Sequence, residues 1–161
     1  MPDIVMRMPE KPHADFFPSK KCISMRSVIT AKELYTLILR CAPSWPSHTL
    51  HVLTYTYNDI LVQNLGPYIS RFLFAQRKGF CALYVKGETR QLTNNHSKII
   101  MLADEKGKTV HRAWLGSGNF VGPDVLYDFF IEARTEQMIA DIKEAFEFVW
   151  SKGTIVKENY A

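Results

Sequence analysis

Two short segments of this 161-residue chain carry side chains that suit phosphate chemistry. The first, NNHSKIIML at residues 94–102, places His96 and Lys98 two positions apart at the start of an apolar run. The second, LGSGNF at residues 115–120, follows another apolar run and contains four small or polar residues: Gly116, Ser117, Gly118 and Asn119. Together the two segments supply an imidazole, an ammonium, a hydroxyl, an amide and a glycine-flanked backbone.

These groups can bind and attack a phosphodiester. The Lys98 ammonium is a point charge for a non-bridging oxygen, and Ser117, Asn119 and the backbone N–H groups around Gly116–Gly118 can donate hydrogen bonds to the others. A histidine is largely neutral at pH 7, so His96 can act as a covalent nucleophile towards phosphorus. No carboxylate cluster of the metal-binding type lies near in the sequence, so fixed cations would stabilise the developing charge in place of Mg²⁺.

A predicted β-hairpin brings the two segments together. Residues i and i+2 of a strand project to the same side, so a strand over 96–102 points His96 and Lys98 in one direction. A turn at Glu105, Lys106 and Gly107 then returns the chain as an antiparallel strand over 109–116. This pairing places Gly116–Asn119 close to His96 and Lys98, and we predict a phosphate-handling site there.

The remaining pattern predicts an α/β domain with a mixed β-sheet covered by helices on both faces. TAKE at residues 30–33 is a capping box that begins a helix, and a last helix begins near Thr135 and stops at Gly153. Residues 57–79 are predicted to be helical, interrupted at Gly66-Pro67 and ending near Gly79. Further strands are predicted at 48–57, 80–87 and 127–133. Residues 1–20 are predicted to be an irregular segment and residues 21–161 a single domain.

The two motifs resemble the His-Lys-Asp signature of the phospholipase D superfamily, most of all its short, single-motif nuclease-like members. The resemblance rests on His96-Ser97-Lys98 followed by IIML, and on the GSGN of residues 116–119; it covers about residues 23–152, including the order of elements. It implies a mixed sheet sandwiched between helices, a phosphohistidine intermediate and no metal or other cofactor. It also implies that His96 is the nucleophile, that Lys98 and Asn119 hold phosphate oxygens, and that Ser117 is a supporting donor.

Acidic residues complete the resemblance, with two departures from the family pattern. The family has an acidic residue after the second motif that orients the histidine; Asp128 matches it best and Glu132 is the alternative. That residue is often a glutamate in the family, whereas Asp128 is shorter. The motif aspartate is expected five residues after the lysine, where this chain has Ala103, and Asp104 follows one residue later. Because that aspartate mainly supports structure in the family, the shift is compatible with activity, and it leaves some room for an inactive copy.

A single motif predicts a homodimer. Cleavage through a phosphohistidine needs a second proton-transfer group on the far side of phosphorus, and one chain offers only His51 and His111 as spare imidazoles nearby. A two-fold axis that brings two copies of His96 face to face supplies the missing group. The aromatic side chains of Tyr57, Trp45 and Trp114 are candidates for lining the groove, with a place in the buried core as the alternative.

Charge and composition do not identify the class of molecule that the protein binds. The net charge is +4 and the basic residues concentrate between residues 71 and 112, which fits either a solvated basic face or an anionic partner such as DNA, RNA or phospholipid head groups. Cys22, Cys41 and Cys81 are predicted to be small core residues in a reducing compartment. No signal peptide or membrane span is recognisable, so a cytoplasmic or nuclear protein is expected, with no membrane insertion.

Three functions fit this sequence. The first is a metal-independent hydrolase, namely an endonuclease that cleaves DNA or RNA. The second is a phospholipid phosphodiesterase or phosphatidyl transferase that uses the same chemistry. The third is a nucleic-acid-binding module that has lost the catalytic step.

Overall fold

A mixed β-sheet forms the centre of the described part of the chain. The computed structural model describes residues 28–45, 47, 49–76, 84–123 and 127–157. Within these ranges the sheet has eight strands: β1 (Val28–Thr30), β2 (Thr49–Thr54), β3 (Ile69–Phe74), β4 (Glu88–Gln91), β5 (Ile99–Ala103), β6 (Val110–Gly116), β7 (Phe129–Glu132) and β8 (Thr154–Lys157). Their order is β1-β7-β6-β5-β2-β3-β4-β8, with β2–β3 and β3–β4 parallel and the other pairs antiparallel.

Local capping signals set where the helices begin. The described α-helices are α1 (Ala31–Cys41), α2 (Asp59–Leu65) and α3 (Glu136–Lys152). The Thr30 side chain accepts a hydrogen bond from the backbone N–H of Glu33, and the Thr135 side chain accepts one from Met138. These bonds satisfy N–H groups that have no partner inside the helix. The predicted starts at Thr30 and Thr135 are confirmed.

Two clusters of apolar side chains hold the helices on the sheet. One contains residues of α1 and α2 together with Leu50 and Val52 of β2. The other contains residues of α3 together with Leu53. Because successive strand residues point to opposite faces, the two clusters lie on opposite sides of the sheet. The predicted α/β class with a mixed sheet is therefore confirmed.

The predicted hairpin is present as β5 and β6. The strands pair antiparallel, with Ile99 opposite Leu115 and Leu102 opposite Arg112. Gly107 has a φ of +70° and donates its backbone N–H to the carbonyl of Asp104. A positive φ is easily adopted by glycine, which explains why the chain turns at this residue.

The prediction of a helix over residues 57–79 was wrong in its second half. The helix ends at Leu65, a short 3₁₀ turn follows at Gly66–Tyr68, and Ile69–Phe74 forms strand β3. All but one residue of this strand are buried, on both faces of the sheet, between β2 and β4. An apolar run of this length fits a buried helix or a central strand equally well, and the parallel pairing with β2 decides for the strand.

The predicted strand over residues 80–87 was also wrong in its described part. Residues 84–87 form turns and bends, and the strand begins at Glu88. Lys86 donates its backbone N–H to Gly66, and Gly87 donates to Ile69, so these residues pack against the end of α2 and the start of β3. Residues 80–83, Gly79 and residues 1–20 lie outside the described residues.

Cys41 differs chemically from its prediction. Its side chain is fully buried at the end of α1, as expected, but it is disulfide-bonded rather than a free thiol. The other two cysteines, Cys22 and Cys81, lie outside the described residues. Because disulfides persist in oxidising surroundings, the cysteines give no support to the predicted reducing compartment. None of the helices in the described ranges is long and apolar enough to span a bilayer.

Candidate active site

One end of the sheet gathers all the residues predicted to form the site. β2 and β6 end there, and β5 and β7 begin there, because Leu53 pairs with Ile99, Ile99 with Leu115, and Gly116 with Phe130. Lys98 therefore immediately precedes one strand, and Ser117 immediately follows its neighbour. The backbone N–H of Gly116 donates to the carbonyl of Lys98 over 3.2 Å, which joins the two motifs directly.

His96 and Lys98 lie on a loop before β5 rather than on the strand itself. Strand β5 begins at Ile99, three residues later than predicted. The buried side chain of Asn95 replaces the missing strand contacts: its Nδ2 donates to the carbonyls of Thr54 and Ser97, and its Oδ1 accepts from the backbone N–H and the Oγ of Ser97. Asparagine commonly bonds the backbone two residues on and competes with ladder pairing, which accounts for the later start.

The imidazole of His96 is exposed and lies against the ring of Tyr55. The two ring centroids are 4.8 Å apart and the planes differ by 12°, within the range of stacked aromatic pairs. The Tyr55 backbone is fixed on both sides: its carbonyl accepts from Ala75 and Gln76, and its N–H donates to Asn119. The His96 ring therefore packs on a residue whose backbone is held by hydrogen bonds.

This stacking predicts a spectroscopic signature. In Tyr55→Leu the ring protons of His96 are expected to move downfield in ¹H NMR, because the shielding ring current of the tyrosine is gone. Tyr55→Phe keeps the ring and should retain the wild-type shifts, which makes it the matched control. Equal His96 shifts in all three proteins would contradict the stacked arrangement.

Lys98 folds back along the same loop. Its Nζ donates to the backbone carbonyl of His96 over 2.9 Å, so the ammonium lies beside the backbone of the histidine. This bond uses one of the three donors of the ammonium.

The glycines of the second motif let two strands and a ring come close. A Cβ on Gly116 would lie 2.0 Å from the carbonyl oxygen of Phe129, and one on Gly118 would lie 2.7 Å from the Phe130 ring. Such contacts cannot be accommodated without moving the backbone of β7 or the buried Phe130. Gly116 and Gly118 are therefore required by the packing that positions Ser117 and Asn119.

Asn119 is anchored through its side-chain oxygen. Oδ1 accepts from the backbone N–H groups of Tyr55 and Thr56, each over 3.3 Å, and the backbone carbonyl accepts from the hydroxyl of Tyr35. Burial, followed by the charge of Asp128, raises the pKa of Tyr35 well above its usual value, so this phenol stays a donor. Within the described residues no hydrogen bond uses Nδ2 of Asn119.

Asp128 forms a hydrogen bond with the second motif. Its Oδ1 accepts from Ser117 Oγ over 3.0 Å, and the same Oγ accepts from the backbone N–H of Phe129. Among the described residues Asp128 makes no hydrogen bond to His96. The alternative, Glu132, is 2% exposed and forms ion pairs with Arg112 and Arg134, so its carboxylate is committed to these arginines.

Asp104 caps the hairpin turn. Its carboxylate accepts from the backbone N–H groups of Lys108 and Thr109. Desolvation raises the pKa of Asp104, but the hydrogen bonds from Lys108, Thr109 and Gly107 together outweigh it, and the net pKa lies below the usual value. The β5–β6 pairing is irregular between Leu102 and Ala103, immediately before the displaced aspartate. Asp104 thus has a structural part in the hairpin.

The basic segment contributes fewer free charges to the surface than its composition indicated. Three of its arginines are paired with carboxylates: Arg71 with Glu147, Arg90 with Glu88 and Arg112 with Glu132. Lys106 and Lys108 are exposed but lie at the hairpin turn, at the opposite end of β5 from His96. Among the described residues of this segment, Lys98 is therefore the cation that lies at the predicted site.

The other candidate residues from the sequence lie elsewhere. His51 is fully buried: its Nδ1 accepts from Arg71 Nε, and its Nε2 lies 2.8 Å from the carbonyl of Asp104. His111 is half-buried within β6. The aromatic side chains that were candidates for lining the groove belong to the buried core, which was the alternative prediction. They are Trp45, Tyr57 and Trp114.

Sequence reasoning missed the residues that support the site from other segments. Tyr55 supports the histidine ring, Asn95 holds its loop, and Tyr35 and Thr54 hold the second motif, since Thr54 Oγ accepts from the backbone N–H of Phe120. Asn95 gave a signal, because it adjoins the histidine. The others contact the motifs across 40 or more residues of sequence and gave none.

No protein-family model, curated protein or solved structure matches this chain.

Proposed function

We propose that this chain is a metal-independent phosphodiesterase with a phospholipase D-like fold, which cleaves nucleic acid through a phosphohistidine in a homodimer. The observation that carries the proposal is the hydrogen bond between Gly116 and Lys98. It brings an exposed imidazole, an ammonium and an uncommitted amide N–H₂ group to one end of the sheet.

The proposed reaction has two steps. The His96 ring attacks phosphorus, a P–N bond forms, and the P–O bond to the leaving alcohol breaks as that oxygen takes up a proton. Water then attacks phosphorus, the P–N bond breaks, and the phosphate monoester leaves. Lys98 and Nδ2 of Asn119 hold non-bridging oxygens and stabilise their charge. Asp128 keeps Ser117 in place, and its direct contact with His96 stays a prediction.

A second copy of the chain would supply the proton-transfer group that a single described site lacks. His51 cannot serve, because burial and the nearby charge of Arg71 lower its pKa to about 4 and both its nitrogens are engaged. An exposed apolar row, defined as Val28, Leu115, Phe129 and Ile131, lies beside the site. Val28 and Leu115 both pair with Ile131, and Phe129 is two residues before it, so all four share one face.

The exposed apolar row is the surface that we assign to the dimer. Its side chains are 41 to 54% exposed, which is unusual for neighbouring large apolar residues and typical of interaction surfaces. Because the row adjoins Gly116 and Ser117, an isologous contact through it would bring the two sites towards each other.

A charge placed in this row is expected to separate the protomers. For Ile131→Lys, light scattering should give a mass near 18.6 kDa where the wild type gives twice that value, and cleavage should fall with it. Ile155→Lys is the control, since Ile155 is similarly exposed on β8 at the other edge of the sheet. A wild type that is monomeric and active would exclude the shared site.

The substrate class is tested by offering two phosphodiesters in EDTA. The protein is incubated with a labelled oligonucleotide and, separately, with phospholipid vesicles. Cleavage of the oligonucleotide alone supports the nuclease. Cleavage of the phospholipid alone would replace it with a lipid phosphodiesterase, and salt-sensitive oligonucleotide binding without cleavage would indicate a binding module.

A further inference from the structure

A cleft of about 370 Å³ opens beside His96, between its loop and the last turns of α3. The loop side presents polar side chains together with Leu92, and the helix side presents an aromatic ring, an aliphatic side chain and an ammonium. The residues that line the cleft include Asn94, His96, Ser97, Phe148, Val149 and Lys152. A group bound in this cleft would lie next to the proposed nucleophile.

The helix side of the cleft carries an exposed aromatic ring with a cation beside it. Phe148 is 66% exposed although its ring is large and apolar. Lys152, four residues later on the same face of α3, places its Nζ 5.4 Å from the centre of that ring. A flat exposed ring beside an ammonium matches the two parts of a nucleotide, a base and a phosphate.

We propose that this cleft binds the nucleotide adjoining the scissile phosphate of a single-stranded nucleic acid, which deepens and rests on the function proposed above. The base stacks on Phe148, and the ammonium of Lys152, displaced from the ring, contacts the adjoining phosphate. The single strand is required because a base in a duplex already has both faces covered by its neighbours.

The test measures binding of a fluorescein-labelled single-stranded oligonucleotide in EDTA, in a His96→Ala background so that nothing is cleaved. Phe148→Leu, which keeps an apolar side chain but removes the ring, should weaken binding about tenfold. Phe148→Trp should restore it, with quenching of the new tryptophan by the base. Lys152→Gln should weaken binding at low salt and reduce its salt dependence. Ile60→Ala, at an equally exposed position on α2, should bind like the parent.

Three results would overturn the inference. One is unchanged binding in Phe148→Leu. Another is that Phe148→Leu weakens binding of an abasic strand of the same length, which has no base to stack, as much as it weakens binding of the ordinary strand. Absence of binding by the parent protein would overturn it as well. If Phe148→Leu weakens binding while the wild type cleaves nothing, the binding site stands and the proposed catalysis fails. If the wild type cleaves but Phe148→Leu binds normally, the catalysis stands and this site fails.

Discussion

Replacing His96 with alanine is expected to lower phosphodiester cleavage by about 10⁴-fold or more, because removing a covalent nucleophile eliminates the reaction path and not only one contact. The fold should persist, since the His96 ring is exposed and the loop around it is held by the side chain of Asn95. Cleavage rate, unfolding free energy and dimer mass are measured on the same preparation.

The matched control for this variant is His111→Gln, which removes an imidazole from β6 outside the site and should keep wild-type cleavage. A second readout is the intermediate itself. With a substrate labelled in its phosphate, wild-type protein quenched in alkali should retain label on histidine, and His96→Ala should retain none. Cleavage by His96→Ala at the wild-type rate would end the proposed mechanism.

The second large effect concerns stability against acid. His51 is buried beside Arg71, and these two causes, burial first, lower its pKa from 6.5 to about 4, although the carbonyl of Asp104 and the charges of Glu147 and Asp104 act in the opposite direction. Between these two pH values the unfolded chain binds a proton at this residue and the folded chain does not. The contribution of neutral His51 to the free energy of unfolding is therefore present above pH 6.5, and it is lost as the pH drops towards 4.

The expected loss is about 3 kcal/mol, because each unit of pKa difference corresponds to about 1.4 kcal/mol. Urea unfolding of the wild type and of His51→Gln, measured from pH 7.5 to pH 4, checks this value. The variant should lose about 3 kcal/mol less over that range than the wild type. His111→Gln should follow the wild type, and parallel curves for wild type and His51→Gln would contradict the assigned cause.

Short-range signals allowed much of the fold to be predicted. The helix starts at Thr30 and Thr135 and the turn at Gly107 depend on residues within one turn of each other. Strand β3 could not be predicted, because its apolar run is compatible with a helix or a strand. It is a strand because it pairs with β2, which is distant in sequence. Strand β4, with the sequence ETRQ, was missed because a polar segment becomes a strand only by pairing with β3 and β8.

The candidate site was predictable to the same extent. The hairpin joins His96–Lys98 to Gly116–Asn119, and the hairpin could be recognised from its turn and its two apolar runs. The partners of each side chain could not: Asp128 bonds Ser117 and Tyr55 stacks on His96. These contacts depend on how distant strand ends align in space, which no local pattern encodes.

The two halves of the site are attached to the rest of the protein in different ways. Asn119 is tied to Tyr35 of α1 and to the backbone after β2, and its neighbour Phe120 is bonded to Thr54. The loop of His96 depends mainly on the four hydrogen bonds of Asn95. Segments with few ties open without global unfolding. We therefore expect the loop of the proposed nucleophile, which is anchored mainly through the side chain of Asn95, to open more readily than the loop proposed to hold the phosphate, which is anchored to several segments.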